Sequence, residues 1–364
     1  MSPELLPPEI LCAIVDFVSP DFNALAALSL VCKTWLSPSR RVLFKSLVVT
    51  PVTVQGFLKL FQSTLVSIPD FAQELKICRY KTGDTRYIDS CIFESLAPAL
   101  EKLERLTLLR LEHLSWETPE TSLGDLLRPF GDVTSLWLEN NKFADMQHLG
   151  DFMTSFPHLQ DLTLIYTVLP PADTDDLSGA GVPRGLRRLC IIGPIPVNSI
   201  IAWIAASPAP ISLQRLELGG IGFRITSHVH TLLKGAGPHL RELILRPTSR
   251  PFFPGWSPGR FHIICASNGI SEHCFSLAED VSRHLNLSDN TGLRSLRLSG
   301  AIQPPLCDTI IGVLSTVNST SIEEIVVPVL IPFTKEWQER LEDLRAKSIF
   351  ARVKKFSHRS MSLM

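Results

Sequence analysis

The sequence is poor in aromatic side chains, with three tyrosines and six tryptophans among 364 residues, and has no excess of charge of either sign. Its 35 lysines and arginines face 36 aspartates and glutamates, a formal net charge of −1. Nucleic-acid-binding domains show a strong basic excess, so this balance argues against a polyanionic partner. Long apolar runs are missing too. The best stretch, Ile200-Ile201-Ala202-Trp203-Ile204-Ala205-Ala206, is far short of the ~20 residues needed to cross a bilayer. Glu4 and Glu9 flank the first leucines, and no basic segment precedes an apolar one, so no secretory leader is read there. None of the eight cysteines forms a CxxC pair. They are read as reduced thiols of a cytoplasmic or nuclear protein, without disulfides.

Catalytic signatures are absent as well. No GxSxG, Walker, GxGxxG or HExxH pattern occurs. His228 and His230 lie two apart on a predicted helix and cannot share a face, and His262, Cys265, His273 and Cys274 have no regular ligand spacing. The expectation is a protein without enzymatic activity, cofactor or metal.

What is abundant is leucine, 54 residues of 364. Segments reading Leu-x-x-Leu-x-Leu recur with Leu47, Leu75, Leu106, Leu136, Leu162, Leu189, Leu216, Leu243, Leu296 and Ile325 at their middle positions. The spacing stays near 27 residues except for one gap of 53, between Leu243 and Leu296. A period of this size with this pattern is that of a leucine-rich repeat, one short strand plus a helix or irregular segment per unit. Between the strands, apolar residues recur every three or four positions, as in Val197, Ile200, Ile201 and Ile204, which predicts helices. Strands joined through crossover helices run parallel. The expected class is α/β: a solenoid with parallel strands on its concave face and helices on its convex face.

Two stretches break the period. Residues 168 to 185 are rich in proline and aspartate and predict an irregular linker. Residues 247 to 291 hold either a degenerate repeat, with Phe261-His262-Ile263-Ile264-Cys265 as its strand, or an inserted loop; the nearness of 53 to two periods favours the degenerate repeat plus loop. From Thr334, Trp337, Leu341 and Leu344 predict a helix that caps the last repeat, followed by a solvated basic tail. The domain reading is thus 1–46, 47–333 with about ten or eleven repeats, and 334–364.

The first forty-five residues are of another kind. Pro8 can begin a helix carrying Ile10, Leu11, Ile14, Val15 and Val18 on one face, Asp21 can cap a second helix with Phe22, Leu25 and Leu28, and a third carries Leu30, Val31, Trp35 and Leu36 and stops before Pro38. Three short, largely apolar helices cannot bury everything they present. The order Leu6-Pro7-Pro8-Glu9-Ile10, Leu28-Ser29-Leu30-Val31-Cys32-Lys33-Thr34-Trp35 and Leu43-Phe44 resembles the F-box over residues 4 to 47. An F-box followed by leucine-rich repeats is a known family arrangement. The resemblance implies docking on a Skp-type adaptor, and through it a cullin, with the repeats holding an unknown protein substrate for ubiquitination. The competing reading is a stand-alone repeat scaffold or inhibitor. Neither calls for a nucleic acid or a membrane.

Leu6, Pro7, Ile10, Leu11, Ile14, Leu30, Val31 and Trp35 are the adaptor-facing candidates, with Leu28 and Leu43 assigned to the internal core. Strand alternation sends the residue between the leucines to the concave face. The candidates there are Trp137 and a polar stripe of Arg188, Arg215, Glu217, Arg246 and Arg297. Phe253 and Trp256, in the aromatic segment of the long gap, complete the substrate-binding set.

Overall fold

Proline and aspartate set the first helices of the computed structural model. Helix α1 (Pro8–Phe17) has Pro8 in its first turn, where its missing N–H is not needed. Helix α2 (Phe22–Val31) starts at Asp21, whose carboxylate accepts from the N–H groups of Asn23 and Ala24 at 3.0 Å each. Cys32 is fully extended (φ −163°, ψ 172°) and separates α2 from α3 (Lys33–Leu43). This corrects the expected third helix: Leu30 and Val31 finish α2, and α3 runs through Pro38 to Leu43. Pro38 removes one helical hydrogen bond, and packing of α3 against both α1 and α2 offsets that loss.

The structure describes residues 6–62, 68–79, 88–89, 92–116, 127–169, 182–193, 197–207, 212–221, 227–247, 285–298, 306–328, 339–340, 342–344, 346, 350 and 353–359. They fall into two units, Met1–Ala144 with Asp151–Leu159, and Asp145–Gly150 with Gln160–Met364.

In the first unit, β1 (Ser46–Val49) leads to α4 (Val54–Gln62) and α5 (Ile68–Phe71), then β2 (Glu74–Ile77), β3 (Ile88–Asp89), α6 (Ile92–Leu100), β4 (Leu108–Glu112), β5 (Leu114–Trp116), β6 (Ser135–Glu139) and β7 (Lys142–Phe143). Strands β1, β2, β4 and β6 pair in parallel with Leu47, Leu75, Leu109 and Leu136 in register. The third repeat is therefore centred on Leu109, three residues beyond the expected Leu106. Both phases satisfy the leucine motif, and burial selects the second: Leu109 and Leu111 are buried, Leu108 half-buried. A second parallel sheet, β3-β5-β7, is built from the strands that follow β2, β4 and β6 in the chain. Trp116 packs at its centre against Phe93, Phe143 and Phe152 with ring centroids 4.9–6.2 Å apart. Its indole N–H donates to Asn141 Oδ1 at 3.2 Å, and the Asn141 amide donates to the carbonyls of Leu111 (2.6 Å) and Glu139 (3.1 Å), so this buried amide ties strand to turn.

After α7 (Met146–Thr154), the second unit continues as β8 (Asp161–Ile165), β9 (Arg188–Ile192), α8 (Val197–Ala205), β10 (Arg215–Ile221), α9 (Ser227–Ala236), β11 (Glu242–Pro247), β12 (Ser295–Leu298), α10 (Leu306–Ser315), β13 (Glu324–Pro328) and β14 (Lys355–Arg359). The strands form a parallel series in this order, with Leu162, Leu189, Leu216, Leu243, Leu296, Ile325 and Phe356 in one row. Helices α7 to α10 occupy the segments where the apolar spacing predicts them.

One expectation changes here. Strand β11 pairs directly with β12, Leu243 opposite Leu296. Phe261–Cys265, named as the strand of a degenerate repeat, lies outside the described residues. Near the C-terminus, the expected solvated tail contributes β14, which pairs with β13 over Lys355–Arg359. Of the predicted capping helix, Leu344 is buried, whereas Trp337 and Leu341 lie outside the described residues.

His113, Asn140 and Tyr166 leave their strands with φ of 59°, 51° and 49°, and Gly193 with φ of 118°. Glycine is required at the last: a Cβ there would lie 2.7 Å from Tyr166 Cδ1.

Candidate protein-binding surfaces

Three helices of ten or eleven residues enclose a very small interior. Leu11 (5% exposed), Val15 and Leu25 fill it, so Leu11 faces inward rather than toward a partner. Leu28, Trp35 and Leu43 are half-buried. Leu6, Pro7, Ile10, Ile14, Leu30 and Val31 are exposed, Leu30 to 83%. Phe17 (85%) and Phe22, on either side of the α1–α2 turn, are exposed as well and were not among the sequence candidates. Their signal in the sequence is faint, because a phenylalanine beside a turn reads equally well as core. This is a large apolar set to leave exposed on so small a module. At the N-terminal end of α3, the N–H groups of Trp35 and Thr34 hold the exposed Cys32 thiol below its ordinary pKa.

The strand faces opposite the leucines are polar in both units. In the first, the corrected register places Arg110 between Lys76 and Trp137, where the sequence phase had Thr107. The Arg110 guanidinium stacks 4.8 Å over the Trp137 ring and reaches Glu74 at 2.9 Å. Trp137 donates its indole N–H to Glu139 at 3.2 Å, and Lys76 pairs with Glu112 at 2.7 Å. Trp137 is thus packed against a neighbouring strand residue, which is how a large ring is held on a solvated sheet face.

In the second unit, the predicted stripe is brought together as a connected ion-pair network. Arg215 lies between Glu217 (3.1 Å) and Glu242 (3.0 Å), Arg246 holds the other oxygen of Glu217 at 2.6 Å, and Arg297 holds Glu324 at 2.7 Å. Arg188 stands 3.5 Å from Asp161. Glu217 is 5% exposed, a buried carboxylate kept there by two guanidinium groups. Beside it, burial pushes the Cys190 thiol up to about 12, with the Glu217 charge acting in the same direction. The stripe is therefore charge-balanced, four arginines against four carboxylates, and not a basic patch. Phe253 and Trp256 lie outside the described residues.

Among the described residues, no group of three His, Cys, Asp or Glu is placed to hold a metal ion, and no helix is long and apolar enough to cross a membrane. The exposed apolar helices and polar strand faces offer surfaces for protein contact.

Residues 4–45 match the F-box domain. No curated protein matches the sequence. Among solved structures, the chain is similar to a protein of Bacteroides fragilis at 12% identity and a TM-score of 0.42, over 86% of this chain and 73% of that one. It is similar to the Rad7 and Elc1 complex in yeast at 13% identity and 0.38, over 93% and 84%. A leucine-rich-repeat protein of Leptospira interrogans follows at 12% identity and 0.29, over 94% and 86%. The repeat architecture rests on the strand register described above and not on these likenesses.

Proposed function

We propose that this F-box protein with leucine-rich repeats is a substrate-recognition subunit of an SCF-type ubiquitin ligase: helices α1 to α3 dock on a Skp-type adaptor, the adaptor joins a cullin, and the repeats hold the protein to be modified. The observation that carries the reading is the apolar surface left open on the F-box, above all Leu30 and Val31 at the end of α2. Isolated exposed leucines are ordinary on protein surfaces, but Leu30, Val31, Phe22 and Phe17 crowd into one small module whose interior is already filled by Leu11, Val15 and Leu25. A partner that covers them would supply roughly 1.5–3 kcal/mol per fully buried side chain before the costs of association. The subunit performs no chemistry of its own in this reading. It raises the rate of transfer by holding the substrate near the catalytic parts of the complex.

The test is co-expression of the full chain with a Skp-type adaptor, followed by affinity purification and mass spectrometry under proteasome inhibition. Wild type is expected to retain adaptor and cullin, and Leu30→Asp/Val31→Asp to lose both while its thermal unfolding stays unchanged, because neither side chain contributes to the interior. Adaptor retention by the double variant would refute the docking surface. A wild-type chain that captures repeat-bound proteins but neither adaptor nor cullin would leave the scaffold reading standing in its place.

A further inference from the structure

The strands of the second unit enter from a row of residues that the backbone aligns. From Gln160, the N–H groups of Arg187, Gln214, Arg241, Arg294, Glu323 and Lys354 each donate to the carbonyl of the preceding member at 2.7–2.9 Å. These side chains therefore stand at successive strand spacings of about 4.8 Å along one edge of the sheet. Arg187, Arg241 and Arg294 are exposed, and none has an ion pair or side-chain hydrogen bond among the described residues. The carboxylates of the neighbouring face do not neutralise them, because Glu217, Glu242 and Glu324 are already held by Arg215, Arg246 and Arg297. Within the row, the single carboxylate, Glu323, belongs to Lys354 at 3.5 Å. The equivalent row of the first unit, Lys45, Gln73, Thr107 and Thr134, carries one cation. The positive edge is thus a local property of the second unit, invisible in a net charge of −1.

We infer that Arg187, Arg241 and Arg294 form a docking edge for an extended, anionic segment of a partner protein, which makes it the substrate-contacting part of the repeats and rests on the reading of the repeats as a substrate holder. Arg241 and Arg294 stand one strand apart and Arg187 two strands before Arg241, so the three charges lie within one or two screening lengths of each other and act together. From Arg187 to Lys354 the row spans five strand steps, about 24 Å, the length of roughly seven residues of extended chain. Guanidinium groups at fixed positions suit carboxylates or phosphates on such a segment. The row carries no aromatic side chain on which nucleotide bases would stack, which favours a protein segment over single-stranded nucleic acid.

Fluorescence anisotropy on the full chain tests this, with a labelled alternating Glu-Ser peptide of about twelve residues, the same peptide with phosphoserine in place of glutamate, and oligouridine. At least one peptide is expected to bind, more weakly as salt is raised, and the tighter one identifies the anion. Arg187→Ala/Arg241→Ala/Arg294→Ala is expected to weaken it about tenfold or more with an unchanged unfolding curve, since these exposed side chains have no partner among the described residues. Lys45→Ala/Lys59→Ala/Arg105→Ala, which removes the same charge from exposed sites of the first unit, is expected to leave binding within twofold. Equal loss in both triple variants, tighter oligouridine binding that depends on the three arginines, or binding of neither peptide overturns the inference. Adaptor capture reads α1 to α3 and not this edge. A chain that captures adaptor without binding peptide sinks the docking edge alone, and one that binds peptide without adaptor sinks the ligase role alone.

Discussion

Arg246 grips Glu217 at 2.6 Å from one side while Arg215 holds the same carboxylate at 3.1 Å from the other. The carboxylate is buried and the guanidinium groups are each about half exposed, so the two sides of the pair are not equivalent. Removing the cations strands a buried charge; removing the carboxylate returns two arginines to water. Arg215→Ala/Arg246→Ala is therefore expected to destabilise the protein by about 3–5 kcal/mol, and Glu217→Gln by about 1–2 kcal/mol. Urea unfolding followed by circular dichroism gives both. The reverse order would mean that the pair is held from the arginine side.

Thiol reactivity separates two cysteines that the sequence treats alike. Cys32 is exposed and its pKa is lowered by the N–H groups of Trp35 and Thr34, so its thiolate fraction at neutral pH is raised. Cys190 is displaced the other way, to about 12, by burial and by Glu217, so at pH 7.5 it is protonated. Iodoacetamide at that pH is expected to label Cys32 first and to reach Cys190 only after denaturant is added. Labelling of Cys190 at a rate comparable to Cys32 in the native protein would contradict the closed packing around Glu217.

Asn141 satisfies three groups at once, the buried Trp116 indole N–H and Leu111 carbonyl and the partly buried Glu139 carbonyl. Alanine at this position fills none of them, and water has no route to a site where Asn141 and Trp116 are both fully buried. Asn141→Ala is expected to cost about 2–4 kcal/mol. It should also shift the tryptophan fluorescence of the folded state, since the Trp116 N–H loses its acceptor. A variant with unchanged unfolding midpoint would show that these groups find other partners.

The repeat was legible because its signal is summed over many units. Each strand contributes two or three leucines at fixed spacing, and the helices between them keep their own apolar period, so α/β architecture, strand order and most strand positions follow from periodicity. The losses occurred where that signal is locally degenerate or absent. Strand β14 contains no leucine, and Lys355-Phe356-Ser357-His358-Arg359 reads as a basic tail until its pairing with β13 is seen. The gap of 53 residues resembled two periods by arithmetic alone, and its arithmetic does not show that Leu243 and Leu296 stand opposite each other on neighbouring strands. On the strand faces the residues of the polar stripe were legible and their pairing was not: spacing alone does not show that Asp161, Glu242 and Glu324 join Glu217 in taking up the charge of its four arginines.

The phase of the third repeat is the sharpest case, and it can be measured. Leu103, Leu106, Leu108, Leu109 and Leu111 allow two readings three residues apart, and each puts a different leucine in the sheet interior. In the observed register Leu109 is fully buried opposite Leu75 and Leu136, while Leu108 is half-buried at the first position of β4. Truncating a fully buried leucine removes its transfer free energy and leaves a cavity, so Leu109→Ala is expected to cost about 2–5 kcal/mol. Leu108→Ala removes partly solvated surface and is expected to cost about 1 kcal/mol or less. Paired urea titrations of the two variants measure the difference. If Leu108→Ala proved the more damaging, the interior would lie on the Leu106 phase, Thr107 would replace Arg110 on the polar face, and the stacking of Arg110 on Trp137 would be lost with it.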